Sequence, residues 1–170
     1  MHKPLLLAFG LLSAGSAVSA GIELDIELPQ IGVADYRRPY VAIWLERPDH
    51  SVAANLAVWY DVKMRNAEGA KWLKDMRLWW RRSGRDLEPP VDGVTSATRQ
   101  PGQHTLSFVE GQSPLGKLAA GDYVLFVEAS REHGGREVLS LPIQWPPSAR
   151  TASEIQGKHE LGRIGVQLIP

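Results

Sequence analysis

The chain has 170 residues, with 19 Lys and Arg balancing 19 Asp and Glu, so its formal net charge is zero. That balance argues against a nucleic-acid partner. There are no cysteines, which excludes disulfides, thiolate chemistry, iron–sulfur clusters and Cys-ligated zinc.

Residues 1–20 read as a secretory leader. Lys3 gives the positive start, Leu5 to Leu12 the apolar core, and Val18-Ser19-Ala20 the small residues a signal peptidase requires. The apolar run is too short to span a bilayer, and no second one follows. The expectation is a periplasmic protein, cleaved near Ala20, with no membrane insertion afterwards and no lipid anchor. About 150 residues then remain, enough for one domain spanning 21–170.

Along the mature chain, residues 22–28 alternate apolar and acidic, predicting a half-buried strand that Pro29 ends. Residues 30–39 read as a loop. Residues 40–46 are more continuously apolar and predict a second strand. Pro48-Asp49-His50-Ser51 is turn chemistry, and residues 55–64 return as a third strand. The period then changes. Over residues 68–82 a 100° advance per residue places Trp72, Leu73, Met76, Trp79 and Trp80 within an arc of about 120°. Lys71, Lys74, Arg77, Arg81 and Arg82 fall outside it. This predicts one amphipathic helix with all five apolar residues buried, ended by Ser83-Gly84.

Residues 87–102 read as an ordered but irregular loop. Strands are predicted over 104–110, 123–131 and 137–145, the last two joined by a tight turn at His133-Gly134-Gly135. Residues 148–158 look weakly structured, and 161–168 form a last strand. About seven or eight short strands between Gly and Pro turns predict an all-β, immunoglobulin-like antiparallel β-sandwich with one inserted helix.

Inside the loop, Asp92-Gly93-Val94-Thr95-Ser96-Ala97-Thr98-Arg99 resembles the acceptor motif of proteins modified by periplasmic flavin transferases. In those targets an Asp is followed three places later by Ser or Thr, and then by Gly-Ala-Thr. Here Ser96 stands where Gly is usual. The resemblance implies FMN joined by a phosphoester to the Thr98 hydroxyl, with Asp92 and Thr95 read by the transferase or folding the loop. Arg99 could pair with the phosphate. A wider resemblance runs through Arg38-Pro39-Tyr40-Val41-Ala42-Ile43-Trp44, Trp79-Trp80-Arg81, the motif itself, Pro101-Gly102 and residues 128–137. These are similar to an uncharacterised family of predicted periplasmic, immunoglobulin-like proteins, a domain of unknown function. Such proteins are associated with PepSY-type membrane redox proteins and flavin transferases, which become the implied partners.

Each feature also has a plainer reading. The motif could be an ordinary polar turn, since Asx and Ser/Thr side chains commonly bond nearby backbone. Arg81, Arg82 and Arg85 could add positive field near the loop or simply be solvated. Trp79 and Trp80 fit core packing better than flavin stacking. His50, His104, His133 and His159 form no HxH or HExxH pattern, so no metal site is assigned. Glu128, Arg131, Glu132, Arg136 and Glu137 are explained by cross-strand pairing or by a docking patch. No hydrolase, kinase or dinucleotide fingerprint is present, so no catalytic residue is assigned. Two functions follow: an FMN-carrying redox module that is not a complete enzyme, or a non-catalytic periplasmic binding module.

Overall fold

The computed structural model describes residues 19–170, so most of the leader expected over residues 1–20 lies outside the described residues. In chain order the strands are β1 (Gly21–Leu28), β2 (Tyr40–Glu46), β3 (Val52–Tyr60), β4 (Thr95–Ala97), β5 (Gly102–Val109), β6 (Gly121–Ser130), β7 (Arg136–Trp145), β8 (Thr151–Gln156) and β9 (Arg163–Ile169). They form two sheets, ordered β5-β1-β9-β8 and β4-β3-β2-β6-β7. The result is the all-β sandwich that the turn spacing predicts. Its pairings are antiparallel apart from β3 with β4, which run parallel.

Period-2 patterning decides which sheet has a wet face. In β1, Ile22, Leu24, Ile26 and Leu28 are buried between the sheets. The intervening Glu23, Asp25 and Glu27 project from the opposite face, as strand alternation requires. In β2 every residue from Val41 to Glu46 is buried. Val41, Ile43 and Leu45 join the core between the sheets. Ala42 and Trp44 point the other way, into a second cluster with Leu73, Met76 and Trp79. The continuous apolar run of β2 thus reports a sheet covered on both faces, by its partner sheet and by the segment between β3 and β4. Each large side chain so buried contributes roughly 1.5–3 kcal/mol.

That covering segment departs from the single helix predicted over 68–82. It is α1 (Glu68–Lys71), a 3-10 turn over Leu73–Asp75, α2 (Arg77–Arg82) and a 3-10 turn over Gly84–Asp86. Met76, at φ −78° and ψ 73°, breaks the helix between the two middle pieces. Leu73, Met76 and Trp79 are buried as the periodicity requires, and Trp80 is half-buried. Trp72 is 49 % exposed, against expectation. A break of phase after α1 turns it off the stripe.

Tertiary hydrogen bonds hold the broken segment down. The Glu128 carboxylate, fully buried on β6, accepts from the Leu78 N–H at 3.1 Å and the Trp79 N–H at 2.7 Å. It thereby satisfies donors that the first turn of α2 leaves open. The same carboxylate pairs with Arg136. Asn55 Oδ1 accepts from Trp79 Nε1 at 2.8 Å and from Ser83 Oγ at 3.0 Å. Arg82 reaches buried Glu46 at 3.1 Å.

Two further expectations change. Residues 148–158 are not weakly structured, because Thr151–Gln156 pairs with β9 as an edge strand. The third strand spans Val52–Tyr60 rather than 55–64. The run from Glu128 to Glu137 contains one expected cross-strand pair, Glu128 with Arg136 across β6 and β7, but it is not explained by such pairing alone. Glu128 and Arg131 are buried, and Glu137 reaches across to a loop, accepting backbone N–H bonds from Lys158, His159, Glu160 and Leu161 at 2.7–3.0 Å.

Candidate functional site

Antiparallel pairing of β2 with β3 and with β6 gathers the start of β2, the end of β3 and the end of β6 at one edge of the sandwich. β4, parallel to β3, delivers its own C-terminal end to the same place. There the strand ends and their loops surround a cleft of about 610 Å³. This is the range of small-molecule sites.

Four chain segments line it. The loop before β2 gives Tyr36, Arg37 and Arg38, and β2 itself gives Tyr40. The segment after β3 gives Asp61, Lys63, Met64, Trp72 and Asp75. Ala97 and Thr98 come from the end of β4, and Ser130 to His133 from the end of β6 and its turn. The lining is therefore aromatic and cationic, with three carboxylates among it.

Thr98 is half-buried. Its N–H donates to the Tyr60 carbonyl at 3.2 Å, continuing the β3–β4 pairing by one residue. The backbone of Thr98 is thus fixed where the residue lines the open cleft. Trp72 is brought there by α1. A Cβ on Gly69 would collide with the Asp61 carbonyl oxygen. Only glycine lets α1 sit so close to the end of β3, and Trp72 follows one residue after that helix.

The cations differ in their commitments. Arg37 pairs with Asp35 at 3.1 Å. Arg131 is buried against Glu160, with Nε and Nη2 donating at 2.9 and 3.1 Å, and the Gly135 N–H joins Glu160 at 2.7 Å. The Glu160 hydrogen bond raises the Arg131 pKa. Arg38 and Lys63 have no ion-pair partner among the described residues. Burial raises the pKa of the Tyr36 and Tyr40 phenols, for Tyr36 against the pull of Arg131 and for Tyr40 against an Asp61 hydrogen bond. Both therefore remain protonated near neutral pH.

The motif is divided by the fold. The Thr95 N–H donates to the Val91 carbonyl and Thr95 Oγ1 accepts from the Val91 N–H, each at 2.9 Å, closing the turn that carries exposed Asp92. Gly93 takes φ +74° in that turn, a conformation suited to glycine. Ser96 pairs in β4 opposite Trp59. Arg99 lies 4.2 Å over the Trp59 ring, where burial lowers its pKa. Of the nominated residues, Thr98 lines the cleft, while Asp92, Thr95 and Arg99 are not among its lining. Arg82 and Arg85 pair with Glu46 and Asp86 instead, and neither they nor Arg81 line it.

Sequence reasoning passed over Trp72, Tyr36 and Tyr40 as site residues, and weighed Arg131 only within a charged docking patch. Helical periodicity placed Trp72 in the core. The local signal against a continuous helix was Asn66 and Gly69 near its start, both weak helix formers. The other three carry no local signal, since strand pairing alone brings them together.

The class this defines is a two-sheet β-sandwich, covered on one face by a helical segment and open at one end in an aromatic and cationic cleft. Among the described residues no helix is long and apolar enough to cross a membrane. The chain belongs to the DUF2271 family of predicted periplasmic proteins, which it matches over residues 21–163. It is accordingly a periplasmic protein, and the matched span includes every segment lining the cleft. No curated protein and no solved structure matches it.

Proposed function

We propose that this protein is a periplasmic redox carrier that holds FMN through a phosphoester on Thr98, loaded by a separate flavin transferase. The observation that carries the reading is that Thr98, the hydroxyl the acceptor motif nominates, lines the cleft together with a half-exposed tryptophan and two cations, Arg38 and Lys63, that have no carboxylate partner among the described residues. A turn threonine with only a folding role has no need of such surroundings, and Thr95 in the same motif supplies that role. Aromatic faces suit a planar ring, and Arg38 and Lys63 suit a phosphate.

In the loading step Thr98 Oγ attacks the flavin-side phosphorus of a flavin phosphoanhydride. The new Oγ–P bond forms as the anhydride P–O bond breaks. The second phosphate leaves with its substituent, and the hydroxyl proton passes to a base of the transferase. Bound FMN would supply reversible electron uptake. The chain fixes the attachment point through the Thr98 N–H and provides a bounded space beside it. The implied electron partner is a PepSY-type membrane redox protein, as the family resemblance suggests.

The test is intact mass and visible absorbance of protein made with a competent periplasmic flavin transferase. Wild type should gain one FMN adduct, and Thr98→Ala should gain none. Thr98→Ala should also fold normally, with stability changed by no more than about 0.5 kcal/mol, because the hydroxyl makes no hydrogen bond among the described residues and the residue is only half-buried. Wild-type protein without added flavin mass would overturn the redox reading and leave a non-catalytic binding module in its place.

A further inference from the structure

The cleft itself implies a second property: a stacking platform for the flavin ring. Trp72 stands out in the molecule. Trp44, Trp59, Trp79 and Trp145 are at most 1 % exposed, whereas Trp72 is 49 % exposed and lines the cleft that Thr98 also lines. Its exposure is built rather than accidental. α1 is docked on the end of β3 through Gly69, where no side chain fits. The three residues after Trp72 turn as a 3-10 helix whose Leu73 is fully buried. Trp72 is thus pinned on both sides, with its indole left toward the cleft.

An indole held in the open costs apolar exposure to water, which a planar aromatic ligand would remove. The rest of the lining narrows the ligand's chemistry. Tyr36 and Tyr40 remain neutral phenols able to donate hydrogen bonds. Arg38 and Lys63 are cations free of carboxylate partners among the described residues. Asp61 does not neutralise Lys63 by an ion pair, its carboxylate instead accepting the Lys63 backbone N–H at 3.1 Å. Asp61, Asp75 and Glu132 also line the cleft, against four Arg and Lys, and a flat, hydrogen-bonding ring carrying a phosphate fits the aromatic, phenolic and cationic features together.

We propose that the cleft binds the isoalloxazine ring against Trp72, with the phosphate end toward Arg38 and Lys63. This rests on the flavin reading for the identity of the occupant. It differs in predicting that the cleft recognises the ring without any covalent bond. Trp72 is a positioning and binding residue in this account, and Thr98 is the tether.

Two measurements test it, one on each side of the tether. In wild-type protein that intact mass shows to be loaded, flavin fluorescence should be quenched several-fold relative to free riboflavin 5′-phosphate. A visible circular-dichroism band should report a ring held in one orientation. Trp72→Ala should restore fluorescence at least threefold and flatten the band, and Trp72→Phe should fall between. In unloaded Thr98→Ala protein, free riboflavin 5′-phosphate should bind reversibly. Adding Trp72→Ala should weaken that binding about tenfold, the scale of one aromatic stacking contact. Quenching and circular dichroism unchanged by Trp72→Ala in loaded protein would overturn the platform while leaving attachment at Thr98 intact. Absence of covalent flavin together with reversible, Trp72-dependent binding would instead sustain the platform and remove the carrier. If Trp72→Ala also blocked loading, the titration on unloaded protein would decide, and no Trp72-dependent binding there would overturn the proposal.

Discussion

At the residue scale, Glu137 is a half-buried carboxylate held by backbone groups more than twenty residues away in sequence. Burial pushes its carboxyl upward, but N–H groups of Leu161, Lys158, His159 and Glu160 pull it further down, and its pKa lies below the ordinary glutamate value. A group whose folded pKa is depressed adds stability above its unfolded pKa and loses it as pH falls through the folded one. Wild-type stability should therefore decline as pH drops below about 4.5, the unperturbed value. Glu137→Gln should flatten that decline and lower stability at neutral pH by on the order of 1–2 kcal/mol, since the site is partly exposed and solvent screens it. Urea denaturation between pH 3 and 7 measures both. An unchanged pH slope in Glu137→Gln would show that the 158–161 loop is held some other way.

At the scale of elements, the segment between β3 and β4 shows what local pattern misses. Hydrophobic spacing located the residues that pack on the sheet, because Leu73, Met76 and Trp79 must be buried in either geometry. It did not locate the breaks. α2 is only six residues long, too short to persist by propensity, and it is held by Glu128 from β6. Glu128→Ala removes that bond acceptor and leaves Arg136 without its partner. It should cost about 3 kcal/mol in urea unfolding. Glu128→Gln keeps an acceptor for the α2 N–H groups and should cost less. Equal losses in the two would mean that the cap contributes little and the charge pair most.

At the scale of the molecule, one sheet is shared by two apolar clusters, and this ties the helical segment to the sandwich. Trp79 is fully buried in the outer cluster. Trp79→Ala should cost roughly 3–5 kcal/mol. The layers should still unfold together, because β2 contributes alternate side chains to both clusters. Tryptophan fluorescence and far-ultraviolet circular dichroism should give coincident midpoints in both proteins. Separated midpoints in the wild type would show the segment to be an independent unit.

What the sequence by itself determined was whatever depends on near neighbours. Period-2 alternation marked β1, continuous apolarity marked β2, Gly134-Gly135 marked the turn between β6 and β7, and the motif nominated Thr98. Each signal is carried within a few residues, because side-chain direction follows directly from local backbone period. What only the tertiary structure decided was which segments meet. The polar stretch at 151–156 becomes a strand because β9 offers it an edge. Thr95–Ala97 becomes β4 because β3 does the same. Trp72 leaves the core because Gly69 is drawn onto the end of β3. Most decisively, residues from three other segments come to line one cleft with Thr98, while Arg99, its immediate neighbour, is turned onto Trp59. Alternation along an extended chain sends adjacent side chains to opposite faces, and only the pairing of distant strands settles what each face meets.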